Sequence, residues 1–172
     1  MEGLKMIAEL MAVSARTAPK SAGQDFVEIK ILEGEGIQKL ADGMVQFGKE
    51  KGKPNFDRDG KNVKESNIVV LIGLKDDRTL GLNCGACGYT TCKDFEQAKT
   101  VDVEFKGHHC AYRLLDMGIA VGSAVKTAGL LNADNRIMYR IGAVARNIGF
   151  CDWEYVMGIP LSATGKSIYF DR

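Results

Sequence analysis

Four of the five cysteines lie between Cys84 and Cys110, as Cys84-Gly-Ala-Cys87-Gly-Tyr-Thr-Thr-Cys92, then seventeen residues, then Cys110. A C-x2-C pair places two thiolates around one turn, where both face a common metal centre. The following gap of four residues brings a third within reach, and the distant cysteine closes the set. Four thiolates are the full ligand complement of a [4Fe–4S] cluster. Gly85 and Gly88 suit the same purpose. A chain wrapped around a cubane needs unusual φ values and N–H groups aimed at sulfur, and glycine supplies both. Structural zinc more often shows two separated C-x2–4-C pairs. His108 and His109, beside Cys110, would instead complete a Cys3His zinc site. Redox-active thiols and buried cysteines are the remaining readings of the same pattern. Cys151, beside Trp153, stands apart and reads as a small buried hydrophobe.

The elements around this constellation must come from a chain of 172 residues, enough for one domain or one domain with a small insert. Hydrophobic residues make up 45% and charged residues 26%, which excludes disordered and collagen-like classes. Lys and Arg number 23 against 22 Asp and Glu, so nothing steers the chain toward nucleic acid or an anionic membrane. No apolar run approaches the ~20 residues of a bilayer span. Met1 to Val13 has the length of a signal sequence, but Glu2, Lys5 and Glu9 interrupt any apolar region. An odd, clustered set of cysteines argues against a disulfide framework. The expected compartment is therefore the reducing cytoplasm.

Leu4, Ile7, Ala8, Met11 and Ala15 predict an opening helix that ends near Pro19. Phe26 to Leu32 alternates at period 2 and predicts a half-buried strand. Ile37, Leu40, Ala41, Met44, Val45 and Gly48 predict a second helix. Lys49 to Asn62 is charged and punctuated by Gly and Pro, and reads as surface loop. Ile68 to Leu74 is a continuous apolar run, expected as a central strand buried on both faces. A third helix carries Met117, Val121, Ala124, Val125, Ala128 and Leu131, with Gly118, Gly122 and Gly129 along it. Ile137, Ile141, Val144, Ala145 and Ile148 mark a fourth helix, stopped by Gly149. Tyr155 to Ile159 reads as a closing strand before a turn at Pro160. This order suggests a layered α/β or α+β domain.

Residues Cys84 to Cys92, continued by Lys93-Asp-Phe95, closely resemble the four-cysteine [4Fe–4S] module of the Rnf-type electron-transport complex B subunit and of the corrinoid iron–sulfur protein. The resemblance implies one [4Fe–4S] cluster with Cys84, Cys87, Cys92 and Cys110 as ligands. It covers about thirty residues. Thr90 stands where that module has a proline, and Cys110-Ala-Tyr-Arg-Leu114 where it has Cys-Pro-Pro-Gly-Gly. As a whole, the chain resembles the uncharacterised bacterial and archaeal family of ferredoxin-domain proteins.

The flanking segments are similar to nitroreductase-family flavoproteins. The resemblance rests on Glu9 to Gln24 followed by a strand, on Asp116 to Leu130, and on Val156-Met-Gly-Ile-Pro160. It implies an α+β sandwich of a central sheet with helices, forming a homodimer through the glycine-lined helix. It also implies an FMN-facing loop in which Arg16, Lys20, Ser21 and Gly23 meet the phosphate. The arginine segment that holds this phosphate in the family has no counterpart here, and Lys20 and Asp25 replace residues the family pattern expects. Read from the residues alone, the loop terminates a helix and Lys20 is solvated. Both readings stand at this point.

Asp57-Arg-Asp-Gly-Lys61 lacks the spacing of a calcium loop and reads as a solvated turn. Met6, Met11, Met44 and Met138 sit on apolar stripes and are expected in the core. No hydrolytic constellation stands out. The organisation expected is a nitroreductase-like scaffold over 1–79 and 113–172 with a four-cysteine module inserted at 80–112. Its expected function is electron transfer through one cluster, to or from a flavin or a redox partner protein, with Lys93 offering a docking charge. The alternative is a zinc- or cluster-stabilised protein-interaction module without redox catalysis. Cys87→Ser is expected to abolish iron binding and loosen 80–112 while the flanking scaffold stays folded. Cys151→Ser should keep the full iron content. Iron analysis of the two variants checks the ligand set, and equal losses would show it to be wrong.

Overall fold

In the computed structural model, which describes residues 2–170, apolar positions at helical spacing open the chain as α1 (Glu2–Thr17), burying Leu4, Ala8, Met11 and Ala15. β1 (Val27–Glu33) turns Val27, Ile29 and Ile31 toward the same core. α2 (Glu35–Lys51) buries Ile37, Leu40, Ala41, Met44 and Phe47, and ends on Gly52 at φ 61°, a left-handed cap that glycine adopts without strain. α3 (Phe56–Lys64) and β2 (Ile68–Leu74) follow. After the cysteine-bearing segment with α4 (Cys92–Gln97) and a ribbon of β3 (Val101–Asp102) and β4 (Lys106–Gly107) comes α5 (Ala111–Leu130). β5 (Asp134–Asn135), α6 (Tyr139–Asn147) and β6 (Tyr155–Ser162) complete the fold.

The main sheet has the order β1-β2-β6-β5 with antiparallel neighbours throughout. β2 lies inside it, and all seven of its residues are buried. Val70, Ile72 and Leu74 join the core beneath α1 and α5, with Ile159 and Leu161 from β6. Val69 and Leu71 point the other way, into a second core with residues of α2, α3 and α6. The continuous apolar run therefore reflects helices on both faces of the sheet.

Two glycines let α6 lie directly on β6. A Cβ at Gly142 would fall 1.8 Å from the Val156 carbonyl oxygen, and one at Gly158 would fall 2.0 Å from Ile141 Cγ2.

Several expectations need correction. The stretch expected as surface loop at 49–62 contains most of α3, which buries Phe56, Asp59, Gly60 and Val63. Asp59 is therefore no solvated turn residue: it is 1% exposed, and its carboxylate takes Arg58 at 2.7 Å and Arg140 at 2.8 Å. Pro160 makes no turn but lies within β6, paired with Val69. Gly158 bonds Met138 on the β5 side, so by strand alternation the N–H that proline lacks also falls there, where the ladder is already interrupted. Met6 is 63% exposed, unlike Met11, Met44 and Met138. Ile137 precedes α6 and is exposed, while α5 begins at Ala111, earlier than its apolar stripe indicates.

Among the described residues, nothing beyond the surrounding helix backbone comes within 4 Å of a Cβ built at Gly118, Gly122 or Gly129. No helix among the described residues is long and apolar enough to cross a membrane. Gly142→Ala should destabilise the protein by about 3 kcal/mol, since the clash is with backbone that cannot move aside. Thermal unfolding should record a fall of about 6–12 °C for a chain of this size.

Candidate metal centre

The segment after β2 is built from residues that tolerate an irregular backbone. Gly81, Gly85 and Gly88 have φ of 79°, 73° and 88°, and Asn83 has φ 50°. The Gly88 N–H closes a turn onto the Gly85 carbonyl at 2.9 Å. Thr91 then starts α4 with a capping box: its hydroxyl oxygen accepts the Asp94 N–H at 3.1 Å, and the Asp94 carboxylate accepts the Thr91 N–H at 3.1 Å. Cys92 is thus the first residue of α4, and Cys110 is the N-cap of α5. Two of the four thiols stand at helix starts, where the peptide dipoles favour negative charge.

All four cysteines line one small cavity, together with Thr79, Asn83, Tyr89 and Tyr112. Cys110 is buried, Cys87 and Cys92 are half-buried, and Cys84 is exposed. None of the four forms a disulfide. Among the described residues no three His, Cys, Asp or Glu side chains close on one point tightly enough to hold a single metal ion. Thiolates around a cubane bind different irons and so need not converge as the ligands of one zinc ion do. Neither histidine of a Cys3His zinc site lines this cavity, although His109 Nε2 is buried without a hydrogen-bond partner among the described residues. His108 Nε2 lies 2.6 Å from the Phe95 carbonyl, and His109 Nδ1 lies 3.0 Å from Asp77. The donor set therefore fits a cluster better than one zinc ion.

Expectation and structure part in one detail of the sulfur environment. The N–H directed at a sulfur belongs to Asn83, 3.4 Å from Cys92 Sγ, while the Asn83 side-chain oxygen accepts the Cys92 N–H at 2.8 Å. Asn83 thus clasps Cys92 from both sides, and its place beside Cys84 is the only sequence signal for that. Phe95 is buried and packs edge-on to Tyr89 and His108 at centroid distances of 5.5 and 4.2 Å. The segment has a small aromatic core of its own.

Arg113 and Asp116 carry no motif, yet both are buried beside the site. Arg113 Nε donates to the Arg78 carbonyl at 2.9 Å, and Nη1 donates to the Ser21 carbonyl at 3.1 Å and to Asp116 at 3.2 Å. Its other nitrogen donates to the Gln24 side chain, and the guanidinium lies over the Phe26 ring. The signal for such a pair is two opposite charges, three residues apart, on an apolar helix.

The residues expected to meet an FMN phosphate are placed together at the end of α1, and most of their polar groups bond within the protein. Arg16 donates to Asp25 at 2.8 Å and to the Val27 carbonyl at 2.6 Å. Lys20 is not solvated: its side chain is 4% exposed, and Nζ donates to the carbonyls of Ala15, Arg16 and Ala18 at 2.8, 2.9 and 2.7 Å. Burial pulls its pKa below the ordinary lysine value. The Ser21 N–H and hydroxyl both donate to Asp116, at 2.8 and 2.7 Å. Gly23, at φ 66°, bonds back to the Lys20 carbonyl. A phosphate here would have to displace these partners, so the loop as folded does not fit FMN. Cys151 is half-buried, and burial raises its thiol pKa, as for an unreactive cysteine.

A family model described as an uncharacterized protein containing a ferredoxin domain matches residues 106–172, which include Cys110. An uncharacterized protein of Archaeoglobus fulgidus is 50% identical over 171 residues, spanning 99% of this chain and 92% of the archaeal one. The chain belongs to one family with the archaeal protein, and its residues 106–172 match the ferredoxin-domain model. Among solved structures, this family member is similar to the FMN-dependent nitroreductase NfnB of Mycobacterium smegmatis, at TM-score 0.63, 9% identity and coverage of 98% and 82% of the two chains. Nitroreductase CinD of Lactococcus lactis gives TM-score 0.61, 15% identity and coverage of 97% and 84%. A Desulfitobacterium hafniense nitroreductase with bound FMN gives 0.59, 10%, 94% and 78%. At these identities the likeness concerns the fold, which is the nitroreductase-like α+β arrangement.

Lys20→Met should destabilise the protein by about 1.5–3 kcal/mol, because the carbonyls of Ala15, Arg16 and Ala18 lose a charged donor. Denaturant unfolding measures the loss, and iron content should not change.

Proposed function

We propose that the protein is a one-electron carrier holding a single [4Fe–4S] cluster on Cys84, Cys87, Cys92 and Cys110. The observation that carries this reading is the shared cavity: four thiols from an irregular loop and two helix starts line one space. The ferredoxin-domain match and the nitroreductase-like fold support redox work in general. We read 80–112 as the cluster-holding insert and 1–79 with 113–172 as its scaffold. When bound, the cluster supplies a one-electron couple tuned by the hydrogen bonds and solvent around its sulfurs. The chain's own part is to orient and shield. Asn83 fixes Cys92, the α5 N-terminus receives Cys110, and Phe95 with Tyr89 and His108 stiffens the outer loop. Cys84 is the exposed ligand, so a redox partner protein would dock on its side, near the exposed Lys93.

We further propose a homodimer through the open faces of α1 and α5, where Met6, Leu10 and Val13 are exposed, as are Leu115, Ile119 and the three glycines' side of α5. The compartment under this reading is the cytoplasm, where thiols stay reduced. No step is assigned to flavin.

Anaerobic purification of the whole chain tests the reading. About four irons and four sulfides per chain are expected, with a visible charge-transfer band that bleaches on reduction and FMN far below one per chain. One zinc without sulfide would establish the interaction-module alternative instead. FMN at one per chain that persists in an Arg16→Ala, Lys20→Ala double variant would overturn the account of the loop. Light scattering showing only monomer would remove the dimer.

A further inference from the structure

Arg113 is 0% exposed, and electron transfer as proposed above assigns it no task. A guanidinium stays charged at any depth, and its burial is costly unless its donors are paired. Its place relative to the cavity is set on both sides. Its neighbour Tyr112 lines the cavity, and so does Thr79, the neighbour of the Arg78 carbonyl that Nε holds at 2.9 Å. Asp116 lies almost one turn farther along α5, and both charges also bond the turn at Ser21. Counted along the chain from Cys110, Arg113 is the nearer charge and Asp116 the farther, and the two act on the thiolates with opposite sign. A centre held by four thiolates gains one negative charge on reduction, and a nearby cation favours that state.

We infer that Arg113 is a positioning residue that holds the approach to Cys84 against the first turn of α5 and biases the cluster toward its reduced state, with Asp116 opposing the bias. The inference rests on the cluster reading. Arg113→Gln, Arg113→Lys and Asp116→Asn test it in the whole, cluster-loaded chain, read as the reduced-to-oxidised ratio at one applied potential. Arg113→Gln should lower that ratio about tenfold, equivalent to ~59 mV for one electron. Arg113→Lys keeps the charge and should lower it less, and Asp116→Asn should raise it. Opposite signs are the signature, because general loosening would admit water and move both neutralised variants the same way. Shifts of one sign, or none, overturn the inference and leave the cluster reading standing. A wild-type chain that binds neither iron nor sulfide overturns both. Should Arg113→Gln fail to hold iron, the direction in Asp116→Asn decides alone: a rise supports the inference and a fall refutes it.

Discussion

A buried guanidinium cannot give up its proton and cannot be left short of acceptors, and that requirement organises the functional end of this fold. Arg113 ties three segments that are distant in sequence: the turn at 21–24 after α1, the loop around Arg78 after β2, and α5 itself. Asp116 completes the arrangement by accepting both donors of Ser21. Each partner sits where a charge demands a lone pair. The irregular loop carrying Cys84 thereby acquires a defined departure point from the sheet, and Cys110 a defined helix to cap.

α5 is the element on which scaffold and site meet. Its first turn borders the cavity, its Met117, Ala120, Val121 and Ala124 fill the core beneath β2, and its glycine side faces outward. On the opposite face of the sheet, α6 is seated by the Gly142 and Gly158 contacts, which hold β6 flat against its helix. Both layers thus press on β2, and the cysteine segment leaves from the end of that buried strand. An irregular loop that leaves a doubly covered strand carries its thiols at a fixed edge of the sheet, where bound metal would add to the order its own contacts supply.

Local pattern carried the reading wherever neighbours in sequence are also neighbours in space. The helical stripe of α1, the alternation of β1 and the apolar run of β2 were all legible for that reason. Pattern failed at α3, where charges counted as surface. Arg140, from α6, meets Asp59 there, and Phe56 stacks near Phe47 at 5.2 Å. It failed again at Lys20, whose length lets it fold back over the carbonyls that end its own helix. Pro160 reads as a turn only until the strand beside it is known to leave that position unpaired.

The sequence by itself determined the candidate ligand set, because thiolate chemistry and short spacings are one-dimensional properties of the segment from Cys84 to Cys92. Periods of 3.6 and 2, which local side-chain geometry imposes, narrowed the class to a layered α/β or α+β domain, and the resemblance of the flanking segments pointed to α+β. Tertiary structure alone decided that Cys110, beyond seventeen intervening residues, borders the same cavity, and that His108 and His109 do not. It alone decided that the donors of Lys20 and Ser21 are consumed internally, that Arg16 is tied to Asp25, and that Arg113 is the cation behind the site. Hydrogen-bond satisfaction and desolvation depend on what arrives from far along the chain, and no local spacing encodes that.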